Sequence, residues 1–136
     1  MKVFETVFVF FSGAVGYWAL ELVWRGETHW TMAITGGLCF LIIYVLANFM
    51  KQPLWQKWIM SAACVTAVEF LVGSVVNVRL GWDVWDYSLT QMNFMGQISL
   101  PFFLIWLALS IPTVLLCNIM RYFFFIPLYR RGRHSP

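Results

Sequence analysis

The chain has 136 residues, 61% hydrophobic and 19% aromatic, with only 11% charged and a formal net charge of +3. Soluble domains are about 45–50% apolar and about 25% charged, so there is too little charge here to clothe a water-facing surface. Together with a mean hydropathy of +0.75, this excludes a soluble enzyme, a disulfide-stapled secreted module and a disordered tail, and indicates an integral membrane protein of one domain, residues 1–136.

In chain order, four apolar runs reach the roughly 20 helical residues that a bilayer crossing takes: Val3–Trp24, Thr31–Met50, Leu54–Val78 and Ile98–Met120. They are continuous and do not alternate, which argues against membrane strands. Backbone groups in lipid must be satisfied within the segment, so the expected fold is all-α, a four-transmembrane-helix bundle. The first run is too long for a signal-peptide core and no A-x-A site follows it, so it is read as a span.

Segments 25–30 and 51–53 are tight turns that force antiparallel neighbours. The loop 79–97 is longer, rich in aromatic and acidic residues. Trp82 and Trp85 are spaced i, i+3, and so are Asp83 and Asp86. One helical turn would point both indoles toward lipid and both carboxylates toward water or protein. The alternative is a solvated loop with two aromatic anchors.

Loop charge orients the bundle. One side receives Lys2, Lys51, Lys57, Arg121, Arg130, Arg131 and Arg133, the other only Arg25 and Arg79. Positive charge accumulates on the cytoplasmic side, so both termini are expected there, in the plasma or inner membrane. Tryptophans favour headgroup depth; Trp55 and Trp58 mark the inner boundary, and Trp24, Trp30, Trp82 and Trp85 the outer one.

Glu69 is the most informative residue. Taking Ile59–Val78 as the core of span three puts it mid-span, about 15 Å of helix from either end. Charge at helix centre costs about 2.5–3.5 kcal/mol on insertion scales, and glutamate is too short to snorkel out. It must face the bundle and be protonated, paired or hydrated. Arg79, the nearest cation in sequence, is also about 15 Å along the axis, so any partner comes from another span. Glu21 precedes Arg25 by four residues, the favoured order for a helix ion pair; it reads either as that pair or as part of a shared site with Glu69 and an acid of the third loop, Asp86. Glu5 reads as interfacial, near Lys2.

Gly13, Gly16, Gly36, Gly37 and Gly73 read as points of close helix approach, with Gly73 one turn past Glu69 and able to open space around its carboxyl. Pro101 and Pro112 each remove a backbone donor from span four and invite a kink. Cys39, Cys64 and Cys117 lie apart in apolar stretches and read as small buried hydrophobes. His29 and His134 stand alone, so no metal site is expected. The tail from Tyr122 combines Phe123, Phe124 and Phe125 with Arg130, Arg131 and Arg133, an anchor for an anionic inner leaflet at about 1 kcal/mol per basic residue. Three basic residues are too few to indicate nucleic acid.

Ala19-Leu20-Glu21-Leu22 echoes Ala67-Val68-Glu69-Phe70, each followed by an arginine and a Gly/Trp-containing turn. Either this is a parallel repeat of two helical hairpins or a chance match of four positions.

Glu69-Phe70 with Gly73, Gly81, then Trp85-Asp86-Tyr87-Ser88, Asn93 and Gly96 resemble the signature of the putative ABC-transporter type IV (CmpB-like) family of small bacterial multi-span membrane proteins. Ile98 and Leu100 before Trp106 extend the likeness into span four. Gly36-Gly37-Leu38-Cys39 with Ile43-Tyr44 is similar to a family segment usually richer in proline, and those prolines are absent here. The resemblance implies a transport role without a defined substrate. The chain has no G-x-x-x-x-G-K-[ST] loop, so any ATPase partner is a separate chain; no cofactor is implied.

Two functions follow. In the first, the chain is a transporter or transporter component with an ion- or proton-responsive site at Glu69, Asp86 and Glu21, supported by Gly73, Trp85, Tyr87, Ser88, Asn93 and Arg25. In the second it is a structural or accessory subunit in which Glu69 hydrogen-bonds neighbouring spans. Because four helices alone enclose little volume, a homo-oligomer is an option in either. A third reading, an intramembrane enzyme, is weak: Asp83 and Asp86 are paired in sequence, but no histidine or thiol joins them.

Overall fold

A computed structural model describes residues 1–133; His134 lies outside the described residues. Four helices long and apolar enough to cross a membrane form the molecule. They are α1 (Val3–Arg25), α2 (Trp30–Phe49), α3 (Leu54–Gly73) and α4 (Leu100–Ile119), with a short fifth helix, α5 (Ile126–Arg131). Local chemistry sets their ends. The His29 ring accepts from Thr31 N at the start of α2, the Ser99 hydroxyl accepts from Phe102 N at the start of α4, and Gly26 (φ +73°) closes α1 with its N–H on Leu22 O. Each satisfies backbone groups that the helix itself leaves orphaned.

Two helices run on through wide π-helical turns. α3 continues through Ser74–Arg79, and α4 through Met120–Phe125 into α5. The fourth span is thus 32 residues long, roughly 48 Å of helix, and what sequence indicated to be a tail from Tyr122 is its extension. Phe125, expected at headgroup depth, is fully buried against Val9 and Tyr44, while Phe123 and Phe124 stay exposed. Pro101 falls in the first turn of α4, where no helical partner is lost, so only Pro112 sits in the helix interior.

Short turns make α1, α2 and α3 alternate in direction, and the pairing of Glu69 with Trp106 and of Trp58 with Ser110 sets α4 antiparallel to α3, so the described ends of the chain share one end of the bundle, here the terminal end, opposite the loop end. α1 lies along α2, and α2 also packs on α3 and α4, which pack on each other; among the described residues α1 makes no extended contact with α3 or α4. The α1–α2 contact is close because glycines permit it. A Cβ on Gly13 would lie 2.2 Å from Phe40 Cβ, and one on Gly36 2.3 Å from Tyr17 Cβ. The core of Val9, Ile43, Tyr44, Ala47, Val114, Cys117 and Phe125 fills the terminal half. Asn48 Nδ2 donates to Cys117 O (3.2 Å) and Ser110 Oγ to Trp58 O (3.1 Å), tying α4 to α2 and α3.

The loop folds back onto the bundle. Asn93–Phe94 and Ile98–Ser99 (β1 and β2) pair antiparallel, Asn93 opposite Ser99 and Phe94 opposite Ile98, so α4 begins two residues later than expected. Neither sequence reading of Trp82–Asp86 describes this loop. Gly81 and Asp83 take φ of +66° and +48°, which breaks any right-handed turn, and the two indoles part: Trp82 is exposed, Trp85 only 5% exposed.

Candidate functional site

Glu69 faces the bundle from the loop-end half of α3 and is 5% exposed. Its partners come from two other elements. Tyr87 of the loop donates its hydroxyl to Oε1 over 2.7 Å, and Trp106 of α4 donates its indole N–H to Oε2 over 3.2 Å. Burial, and then the Glu69 carboxyl beside it, push the Tyr87 phenol well above its ordinary pKa, so it stays a donor throughout the physiological range.

The loop is built to deliver Tyr87. Its backbone N–H binds Gly96 O at 2.7 Å and its ring stacks on Phe102, centroids 4.2 Å apart. Asp86 caps Ser88, accepting from its N–H (2.8 Å) and hydroxyl (2.9 Å). Asn93 donates to Ser88 O and Thr90 O and accepts from Gly96 N. Gly96, at φ +68°, has Asp86 Oδ1 where a Cβ would sit, 2.9 Å away. Trp85 closes the assembly, its indole N–H on Gln97 O at 3.1 Å. Asn77, in the wide turn after α3, holds it from below, donating to Gln97 Oε1 (2.8 Å) and accepting from Val84 N (2.7 Å). The space expected beside Gly73 is filled: a Cβ there would meet Gln97 Oε1 at 2.6 Å and Trp85 at 2.9 Å.

Glu21 is reached through aromatics. The Tyr17 hydroxyl donates to its Oε1 (3.1 Å), and the Tyr17 ring lies 6.1 Å from that of Trp106, the same indole that binds Glu69. Arg25 Nε is 3.0 Å from Glu21 Oε2, but its N–H is not aimed there, leaving that oxygen without a hydrogen bond; Arg25 donates instead to Val84 O, tying α1 to the loop. Asp86 is exposed and held by Ser88, apart from Glu69.

Between α1 and α4, with α2 and α3 behind, lies a cavity of about 440 Å³. Glu69, Tyr17, Trp85 and Trp106 line it toward the loop end, apolar side chains and the Ser12, Thr35, Ser110 and Thr113 hydroxyls elsewhere. Its open side runs between exposed Gly16 and Leu20 of α1 and Leu109 and Leu116 of α4. An added Cβ on Gly16 would meet nothing within 4 Å. Both helices flanking it have the length and apolarity of membrane spans. Contacts close the gap at both ends: Arg25 on the loop at one, and at the other Phe8 against Phe124 (5.4 Å) and Phe125 (5.7 Å).

A second buried carboxylate lies at the terminal end, where sequence placed an interfacial one. Glu5 is 0% exposed. It accepts from Tyr44, from Arg121 Nη1 at 2.6 Å and from Tyr129 at 3.1 Å. Proximity to Lys2 concealed this; the signal that could have found it is Arg121, a cation near the end of an apolar run with no acid beside it in sequence. Arg130, Arg131 and Arg133 are exposed beyond that cluster.

The sequence profile of the family described as Putative ABC-transporter type IV matches residues 6–130. The chain belongs to that family. The match includes all four spans and the loop, and the resemblance carried by Glu69, Trp85–Ser88, Asn93 and Gly96 falls within it. In this Putative ABC-transporter type IV chain those residues form one unit, the loop that carries Tyr87 to Glu69. The four apolar helices make it a multi-pass membrane protein. Comparison with curated proteins and with solved structures finds no match.

Proposed function

We propose that the protein is the membrane component of a transporter and that the cavity between α1 and α4 is its solute site, with Glu69 as the responsive group. One observation carries this: a membrane-embedded carboxylate forms part of the wall of a cavity of about 440 Å³, a size typical of small-molecule sites, on the bilayer side of the bundle. Intramembrane acids mark solute and proton pathways. Glu21 acts with Glu69 through Tyr17 and Trp106, and Asp86 shapes the loop that positions Tyr87. Both termini lie in the cytoplasm, with Arg130, Arg131 and Arg133 on the anionic leaflet. We assign the chain no catalytic step; ATP hydrolysis, where it drives transport, belongs to a separate chain.

The test is solute-dependent proton movement in reconstituted vesicles carrying an internal pH dye, across a panel of lipophilic solutes. Glu69→Gln should abolish it while the protein still folds. Equal flux in the two proteins rejects the proposal.

A second reading is favoured by the double engagement of Glu69: a carboxylate held by Tyr87 and Trp106 is also a pin between loop and α4. Under it the chain is an accessory subunit, Glu69→Gln is tolerated, and a partner protein co-purifies.

A further inference from the structure

We infer that the cavity selects lipophilic organic cations over anions of the same size and shape, an inference that rests on reading it as a solute site. Glu69 is the one aspartate, glutamate, lysine or arginine in its wall among the described residues. The Arg25 and Arg121 guanidiniums pair with Glu21 and Glu5 and do not line it. A carboxylate offers about four acceptor positions, and Tyr87 and Trp106 take one on each oxygen. With Glu69 deprotonated, the remaining positions give the wall a negative pole, and no lysine or arginine among the described lining residues cancels it.

The surroundings of that pole narrow the ligand further. Tyr17, Trp85 and Trp106 line the same part of the cavity, and aromatic faces attract organic cations through the ring quadrupole. A small inorganic cation is poorly served, because it needs several oxygen ligands in place of its water. Among the described residues no group of three or more His, Cys, Asp or Glu side chains converges to supply them. The wall is mostly apolar, with aromatic faces and one carboxyl group. Those features suit a bulky ion with diffuse charge and an apolar surface, able to arrive from the bilayer through the side left open at Gly16.

The experiment measures equilibrium binding of labelled tetraphenylphosphonium and tetraphenylborate, ions of matched shape and opposite charge, to the protein in phosphatidylcholine nanodiscs. Protein-free discs give the partitioning background. Saturable binding of the cation, about tenfold or more tighter than the anion, is expected. Glu69→Gln should weaken the cation by a similar factor without strengthening discrimination against the anion, and Gly16→Trp, which fills the opening, should block both. Thermal unfolding of each variant confirms that it is folded. Binding of both ions that Gly16→Trp abolishes but Glu69→Gln does not change overturns the cation selectivity and leaves the solute site standing. Absence of saturable binding of either ion overturns both.

Discussion

Arg121 Nη1 donates to Glu5 Oε1 over 2.6 Å, across 116 positions of sequence. This contact joins the first turn of α1 to the wide turn that follows α4, and Tyr44 and Tyr129 complete the shell around the carboxylate. Removing one member of such a pair leaves a buried charge without compensation, at a cost of about 3–5 kcal/mol. Arg121→Met, which leaves the fully buried Glu5 unpaired, is therefore expected to destabilise the protein by about that amount in denaturant unfolding from micelles. Glu5→Leu combined with Arg121→Met should cost clearly less than the two changes summed, which a double-mutant cycle measures.

The Glu69 site gives a graded prediction. Glu69→Ala orphans two donors, the Tyr87 hydroxyl and the Trp106 indole N–H, at about 1–3 kcal/mol each. Tyr87→Phe removes one hydrogen bond and leaves Trp106 in place, about 1 kcal/mol. Limited proteolysis of the loop 80–92 should accelerate in the same order, Glu69→Ala above Tyr87→Phe above wild type. Equal cleavage in all three would mean that Tyr87 does not hold the loop down.

Alkaline pH should release the loop through the same residue. The Tyr87 phenol is held above its ordinary pKa of 10.0 by burial and by Glu69. A group that binds its proton more tightly folded than unfolded contributes stability that is complete below the unfolded value and lost as pH rises past it. Loop protection should thus be constant to about pH 9 and fall above about pH 10. Hydrogen exchange of residues 84–97 checks this, and Tyr87→Phe should flatten the part of the dependence that comes from this phenol.

Glycines on one helix should differ sharply in tolerance. Gly13→Ala places a methyl 2.2 Å from Phe40 Cβ, and relieving it means separating α1 from α2, at about 1–3 kcal/mol. Gly16→Ala, three residues on, meets nothing within 4 Å and gains helix propensity, so its stability should be unchanged or slightly higher. Thermal unfolding of the two variants side by side decides the point.

The spans were legible because each is a continuous apolar run, and a lone acid such as Glu69 inside one is conspicuous for what it costs there. The ends of α1 and α2 followed within a residue; the third run was expected to reach Val78, whereas α3 ends at Gly73 and continues as the wide turn carrying Asn77, which left no sign in an apolar stretch. Past Met120 the reading failed: aromatic and basic residues suit an interface, and they equally suit a helix running on into it. Trp85 was misplaced because its spacing from Trp82 fits a helical turn, while the left-handed backbone at Asp83 that prevents one has no apolar pattern to announce it. Tyr87 stood in the recognisable run Trp85–Ser88, but its partner is 18 residues away, a relation that follows from the folded loop and not from any local period. Glu5 was hidden by a plausible neighbour in sequence, Lys2, whose ammonium lies instead over the Tyr129 ring at 4.1 Å.

The side of the cavity left open at Gly16 determines the medium it samples. A pocket facing water equilibrates with an aqueous concentration; the proposed solute site would equilibrate with a two-dimensional fluid in which apolar molecules are already enriched. Its occupancy would follow the mole fraction of solute among the lipids, so a molecule of modest intrinsic affinity would saturate it if it dissolves well in membranes. Changing the lipid would then alter apparent affinity without touching a single residue of the protein.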